Sequence, residues 1–182
     1  MAQVQRRDQE AFTRLLDRHL AGLQKFLLRL TGNAADADEV AQEAFLRIWS
    51  HARRWQRGRV NFTTWLYRIA RNVAIDRHRK HRETTTDDLT MIVDDAPDTG
   101  HVIDADRRER LMRAAVAQLP ERQRTALVLC HFDGLSNQDA AAVLEVSVDA
   151  LESLLSRARR TLKATLRPTQ KTAEVLPCAT HR

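Results

Sequence analysis

FTTWLYRIARNVAIDRHRKHR, residues 62–82, combines the apolar spacing of one long helix with the charge of a surface made for polyanions. At ~100° per residue, Phe62, Trp65, Leu66, Ile69 and Val73 fall on one stripe. Thr64, Tyr67, Arg68, Arg71, His78, Arg79 and Arg82 collect on the opposite face, and Asp76 is the only acid. An ordinary core helix with a solvated basic face has a similar composition. Such a face more often mixes signs, because acid–base pairs four residues apart support it. Here the face is of one sign and carries a tyrosine. Aromatic rings stack on unpaired bases and cations follow phosphates, so the stretch suits single-stranded nucleic acid. Trp65 sits at the border and can serve either face.

Working upstream, Asp8 can cap a helix with apolar positions at Phe12, Leu15, Leu16, His19, Leu20, Leu23, Phe26, Leu27 and Leu30. Gly22 costs about 1 kcal/mol relative to Ala and is a point where this run can divide. Thr31-Gly32-Asn33 supplies the stop. Asp36 with Glu39 has the form of a capping box, opening a helix to about His51 that buries Val40, Ala44, Phe45 and Ile48. Leu46 projects on the polar side, among Glu39, Gln42, Glu43 and Ser50. A lone exposed leucine needs no explanation; one ringed by acids and amides is also compatible with a partner surface. RRWQRGRVN (53–61), with Gly58 as turn residue, joins this helix to the next. Residues 1–82 therefore read as one helical domain.

Downstream the character changes. Residues 83–106 hold eight acids and no Lys or Arg, with Pro97 and Gly100 and no helical period, and read as an acidic flexible linker. Such a stretch can simply keep the chain soluble, or lie along basic surfaces as a mimic of nucleic acid. A second helical domain, 107–167, begins near Arg107 with Leu111, Ala114, Ala115 and Leu119 inward. Pro120 suits a first helical position, and Ala126, Leu127, Leu129, Cys130 and Phe132 continue the core. Asp133-Gly134 stops that helix. Ser136 with Asp139 caps a short helix from Asn137 to Leu144, and Ser147 caps a longer one reaching Leu166. Two such helices across a three-residue turn have the helix-turn-helix pattern, with the start of the second near base edges and later cations on phosphates. The tail, 168–182, lacks periodicity and reads as loose.

Composition bounds the function. With 43% apolar residues, few Gly and Pro, and spacings of three and four, the fold class is all-α, two small helical domains. The formal charge of +6 favours an anionic partner. Two cysteines, Cys130 and Cys178, suggest no disulfide framework. The sequence shows no signal core and no membrane span, so a cytoplasmic protein without membrane insertion is expected. No Gly-rich phosphate loop, carboxylate pair or His-Glu metal motif appears, so no enzyme activity, cofactor, metal or small-molecule substrate is expected. Cys130-His131 reads as a core cysteine beside a histidine. Cys178 and His181 are two ligand types without further partners.

Three stretches in this order resemble the sigma-70 family of RNA polymerase initiation factors, in its short extracytoplasmic-function (ECF) branch. DADEVAQEAFLRIW (36–49) is similar to the core-binding helix of region 2, and FTTWLYRIARNVAIDRHRK (62–80) to its melting and −10 segment. LPERQRTALVLCHFDGLSNQDAAAVLEVSVDALESLLSRARRTL (119–162) is similar to region 4. The resemblance implies that Glu39, Gln42, Glu43, Leu46 and Trp49 dock on the clamp of the largest polymerase subunit, with the beta flap as a further partner surface of the core polymerase. It implies that Trp65, Tyr67, Arg68, Arg71, Asn72, Arg77 and Arg79 act on the −10 element, with residues 53–61 and Asn72 helping to capture a flipped base. Extruding a base costs a few kcal/mol, which a pocket and phosphate contacts must offset. Ser147, Asp149, Glu152, Ser153, Ser156, Arg157 and Arg160 would face the −35 duplex, and an anti-sigma factor would be a partner.

The departures bear on specificity. Family members often carry Lys and Arg near the positions of Glu152 and Leu154; Glu152 can accept from a cytosine amine but repels phosphate. Glu145 stands where Gly is common, and carries strain if the turn needs a positive φ. Two other readings share parts of the pattern. A sigma mimic that sequesters an anti-sigma factor could dispense with Trp65, Arg68, Asn72 and Arg77, which are present. A stand-alone helix-turn-helix regulator would have no use for residues 36–49.

Overall fold

A computed structural model describes residues 1–56, 58, 60–84 and 103–166, which form helices and connections with no strand among them. A short α1 (Ala2–Gln5) precedes α2 (Gln9–Thr31), which Asp8 caps by accepting from Ala11 N at 2.9 Å. Helix α2 runs unbroken through Gly22. The burial of Leu23, Phe26, Leu27 and Leu30 outweighs the roughly 1 kcal/mol that one interior glycine costs. Gly32 at φ 76° ends it, as the Thr-Gly-Asn stop predicts.

The cap of α3 (Ala34–His51) corrects one expectation. Extended Asn33, not Asp36, supplies the cap oxygen, accepting from Asp36 N at 3.2 Å. Because Asn33 directly follows the left-handed Gly32, the first-turn donors are met earlier than the Asp-Glu spacing suggests. Asp36 is left in the first turn, where its charge suits the helix dipole, and it accepts from Arg77 Nε at 3.2 Å. A 3-10 turn (Ala52–Arg54) then leads toward α4 (Phe62–Thr84), which packs on α2 and α3.

Residues 85–102, most of the acidic stretch, lie outside the described residues; so do Cys178, His181 and the rest of the chain from 167. Helix α5 (Ile103–Ala117) starts before the expected Arg107 and buries Ala115 and Val116, whereas Leu111, expected inward, is exposed. Pro120 is the cap residue of α6 (Glu121–Leu127) rather than its first helical residue. The helix then widens into a π turn (Val128–Phe132), with Asp133 N donating to Val128 O at 3.0 Å. One extra residue per turn breaks the 3.6 period after Leu129. That is why Phe132 is exposed and Cys130 only half-buried, where regular spacing put both in the core.

Ser136 and Ser147 cap α7 (Asn137–Leu144) and α8 (Val148–Thr165), as expected, by accepting from Asp139 N and Ala150 N. The turn between them does place Glu145 in the left-handed region, φ 55°. Glu145→Gly is expected to raise stability by about 0.5–1 kcal/mol, the left-handed cost exceeding the added chain entropy; urea unfolding checks it. One buried apolar cluster runs from Leu23, Phe26, Ile48 and Leu66 through Leu119, Leu129, Leu144 and Leu151. The two helical units thus share a core. No helix among the described residues is long and apolar enough to cross a membrane.

Candidate nucleic-acid interface

The basic face of α4 divides into two halves. In the first, Thr64, Tyr67 and Arg71 are buried, which corrects the expectation that this whole face points to solvent. The cover is the second helical unit, which brings acids to the cations. Arg71 donates through Nε and Nη2 to Glu121 Oε1 at 3.3 and 3.2 Å, and Arg68 Nη1 lies 3.7 Å from Glu145 Oε1. Thr64 Oγ1 donates to Asp139 Oδ1 at 2.9 Å. Hydrogen bonds from Ser136 and Thr64 hold the Asp139 carboxyl below its ordinary pKa. The Tyr67 ring packs tilted against Phe26, centroids 4.7 Å apart, and burial pushes its hydroxyl pKa up to about 12. Trp65 is also buried, which resolves its border position toward the core.

In the second half, Asn72, Arg77, His78, Arg79 and Lys80 are exposed. Arg77 is held by Asp36 and Glu39, and Asp76 lies 3.8 Å from Arg47, so α3 and α4 are stitched by charge along their outer edge. On α3, Gln42 and Leu46 are exposed, Leu46 at 61%, while Glu43 holds Arg47 at 2.7 Å. Trp49 is half-buried: its ring packs on Phe12 at 4.9 Å and lies under the Arg7 guanidinium at 5.2 Å.

Other links between the two units rest on Arg124 and Arg29, which sequence reasoning did not single out. Arg124 Nη1 donates to Leu30 O at 2.8 Å, meeting a carbonyl at the negative end of α2. Arg29 stacks over Phe132 at 4.8 Å and stands 3.8 Å from the buried carboxylate of Asp133. These pairs join residues up to about 100 positions apart. Of these only Arg29–Asp133 follows a charge complement legible in the sequence, acids on 121–145 against cations on 29–71.

On the helix-turn-helix, Ser147, Asp149, Glu152, Ser153, Ser156, Arg157 and Arg160 are all exposed, and Leu151, Leu155 and Ala158 anchor the inner face. A polar helix face opens with cap and acidic groups and ends in cations, an arrangement suited to base edges first and phosphates after. Among the described residues no group of three or more His, Cys, Asp or Glu is placed to hold a metal.

Comparison with known proteins bears on the same two segments. The model of Sigma-70 region 2 matches residues 15–84, and that of Sigma-70, region 4 matches residues 109–162. The ECF RNA polymerase sigma factor SigW of Bacillus subtilis is 31% identical over 176 residues, covering 91% of this chain and 94% of the relative. The RNA polymerase sigma-H factor of Pseudomonas aeruginosa is 34% identical over 177 residues, covering 91% of each. Among solved structures, CnrH in complex with the cytosolic domain of CnrY is similar, with a TM-score of 0.69 and 29% identity. That likeness covers 91% of this chain and 93% of CnrH.

Proposed function

The chain belongs to the sigma-70 family, in its ECF branch, and from that membership we propose how its surfaces divide the work of starting transcription. It is a transcription initiation factor that binds core RNA polymerase and promoter DNA. The observation that carries this is the presence of regions 2 and 4 in one chain, in family order. Run-off transcription with purified core polymerase and genomic DNA tests it. Specific start sites are expected, and their absence with active core would overturn the reading.

In our assignment Glu39, Gln42, Glu43, Leu46 and Trp49 form the face for the clamp of the largest subunit, and region 4 meets the beta flap. Leu46 supports this, being a large apolar side chain left open beside polar neighbours. Leu46→Glu is expected to weaken core binding at least tenfold, measured by fluorescence anisotropy, without changing the fold. Trp65, Tyr67, Arg68, Arg71, Asn72, Arg77 and Arg79 are assigned to the −10 element. Trp65 and Tyr67 shape the helix from within, and the arginines and Asn72 meet the strand. Residues 147–160 are assigned to the −35 duplex. Covalent chemistry is left to the polymerase, whose company places the protein in the cytoplasm.

Two further parts belong to the proposal. Because Glu121 and Glu145 occupy Arg71 and Arg68, the two units part before these arginines reach DNA. An inhibitory anti-sigma factor is proposed as a partner, in keeping with the similar CnrH, whose structure is of a complex with the cytosolic domain of CnrY.

A further inference from the structure

Three elements converge beside the first half of α8: Cys130 from the π turn, Asn137 at the start of α7, and Glu152. The Asn137 side chain bridges the other two, with Oδ1 3.8 Å from Cys130 Sγ and Nδ2 3.3 Å from Glu152 Oε1. Chemistry fixes which way this amide faces. A carboxylate only accepts, and a thiol that keeps its proton can donate; burial pushes the Cys130 pKa up and keeps it protonated. The amide carbonyl therefore takes the thiol, and its NH2 is left for Glu152.

Arg159, which lines the same cleft, is turned to His131, Nη2 to Nε2 at 3.3 Å. Among the described residues Glu152 has no ion pair and is held by one neutral donor on a face otherwise fit for DNA. A carboxylate entering the major groove is repelled by phosphates unless a base edge gives it an N–H. Cytosine presents its N4 amine there as a lone donor, whereas the N6 amine of adenine lies beside the N7 acceptor, which repels a carboxylate.

We propose that Glu152, aimed by Asn137, is a specificity-determining residue of the −35 helix that accepts a hydrogen bond from the exocyclic amine of a cytosine. The proposal rests on the assignment of α8 to the −35 duplex. Asn137 is a positioning residue: it sets the carboxylate and does not itself meet the base.

The test is a base scan. At a promoter located by run-off transcription, each −35 base pair is changed in turn and transcription is scored for the full-length wild type, Glu152→Ala, Asn137→Asp and Arg157→Ala. The wild type is expected to lose about tenfold when one particular C·G pair is replaced. Glu152→Ala flattens that position and leaves the others. Asn137→Asp also flattens it, by presenting an acceptor to Glu152. Its Tm holds, because an acid in the first turn of α7 suits the helix dipole while Ser136 remains the cap.

A uniform gain for Glu152→Ala at every sequence would mean that the carboxylate only repels phosphate, and overturns the proposal. An unchanged profile overturns it too. Arg157→Ala separates that failure from failure of the assignment beneath it: uniform weakening keeps α8 on the duplex, and no effect removes it. If Glu152→Ala flattens the position and Asn137→Asp does not, the role given to Asn137 is refuted.

Discussion

Replacing Arg68 and Arg71 together by alanine should lower open-complex formation about 100-fold, while affinity for core polymerase stays within about twofold. Each arginine is expected to give one charge-assisted contact to the melted strand, about 1.4 kcal/mol apiece, and 1.4 kcal/mol is tenfold. Neither residue lies on α3, and neither contributes to the exposed patch around Leu46. Permanganate reactivity of the melted region measures the first quantity and anisotropy of labelled protein the second. The salt dependence of promoter binding should also flatten, since two fewer counterions are released. An equal loss of both activities would show that the helix had been damaged as a whole, and would contradict the division of labour between α3 and α4.

The same two arginines show what a sequence reading can and cannot reach. Their spacing put them on one basic face, and that much follows from 3.6 residues per turn. The partner of that face did not follow. Arg71 is closed over by Glu121, 50 residues on, and Thr64 by Asp139, 75 residues on. No local period links such positions, because Glu121 and Asp139 each sit in the first turn of their own helix. The helix-turn-helix was legible because it is local: Ser136 and Ser147 announce their helices within three residues of the donors they satisfy. The π turn was not, because nothing in VLCHF distinguishes a five-residue turn from a regular one, and the facing of Cys130 and Phe132 depends on it. Asn33 outcompeted Asp36 for the cap for a similar reason. The decision depends on where the preceding glycine leaves the backbone.

Closure of the two units brings a cost that can be measured. Asp133→Asn should stabilise the folded, closed chain by roughly 3 kcal/mol at pH 8 and by nothing below about pH 4. The side chain of Asp133 is 8% exposed, and its Oδ2 meets no protein donor. Burial pushes its pKa from 3.8 up to about 6, against the pull of Arg29 from α2. Tyr67 faces it from α4 and stays neutral up to about pH 12, so it does not titrate in this range. A raised carboxyl pKa means that the closed form binds the proton more tightly than the unfolded chain. Stability from this group is therefore fully present below pH 3.8, falls as pH rises toward 6, and is lost above it. Asparagine keeps the shape and removes the charge, so its advantage should appear over the same interval. Urea unfolding of both proteins at pH 8, 6 and 4 reads the difference directly; a gain that ignores pH would assign the effect to packing instead. Under the proposed assignment of Arg71 to the melted strand, Glu121 must move away first, so tighter closure should also reduce transcription several-fold at pH 8. In that scheme the Asp133 carboxylate, by weakening the closed form at neutral pH, favours the opening that the proposed strand contacts require.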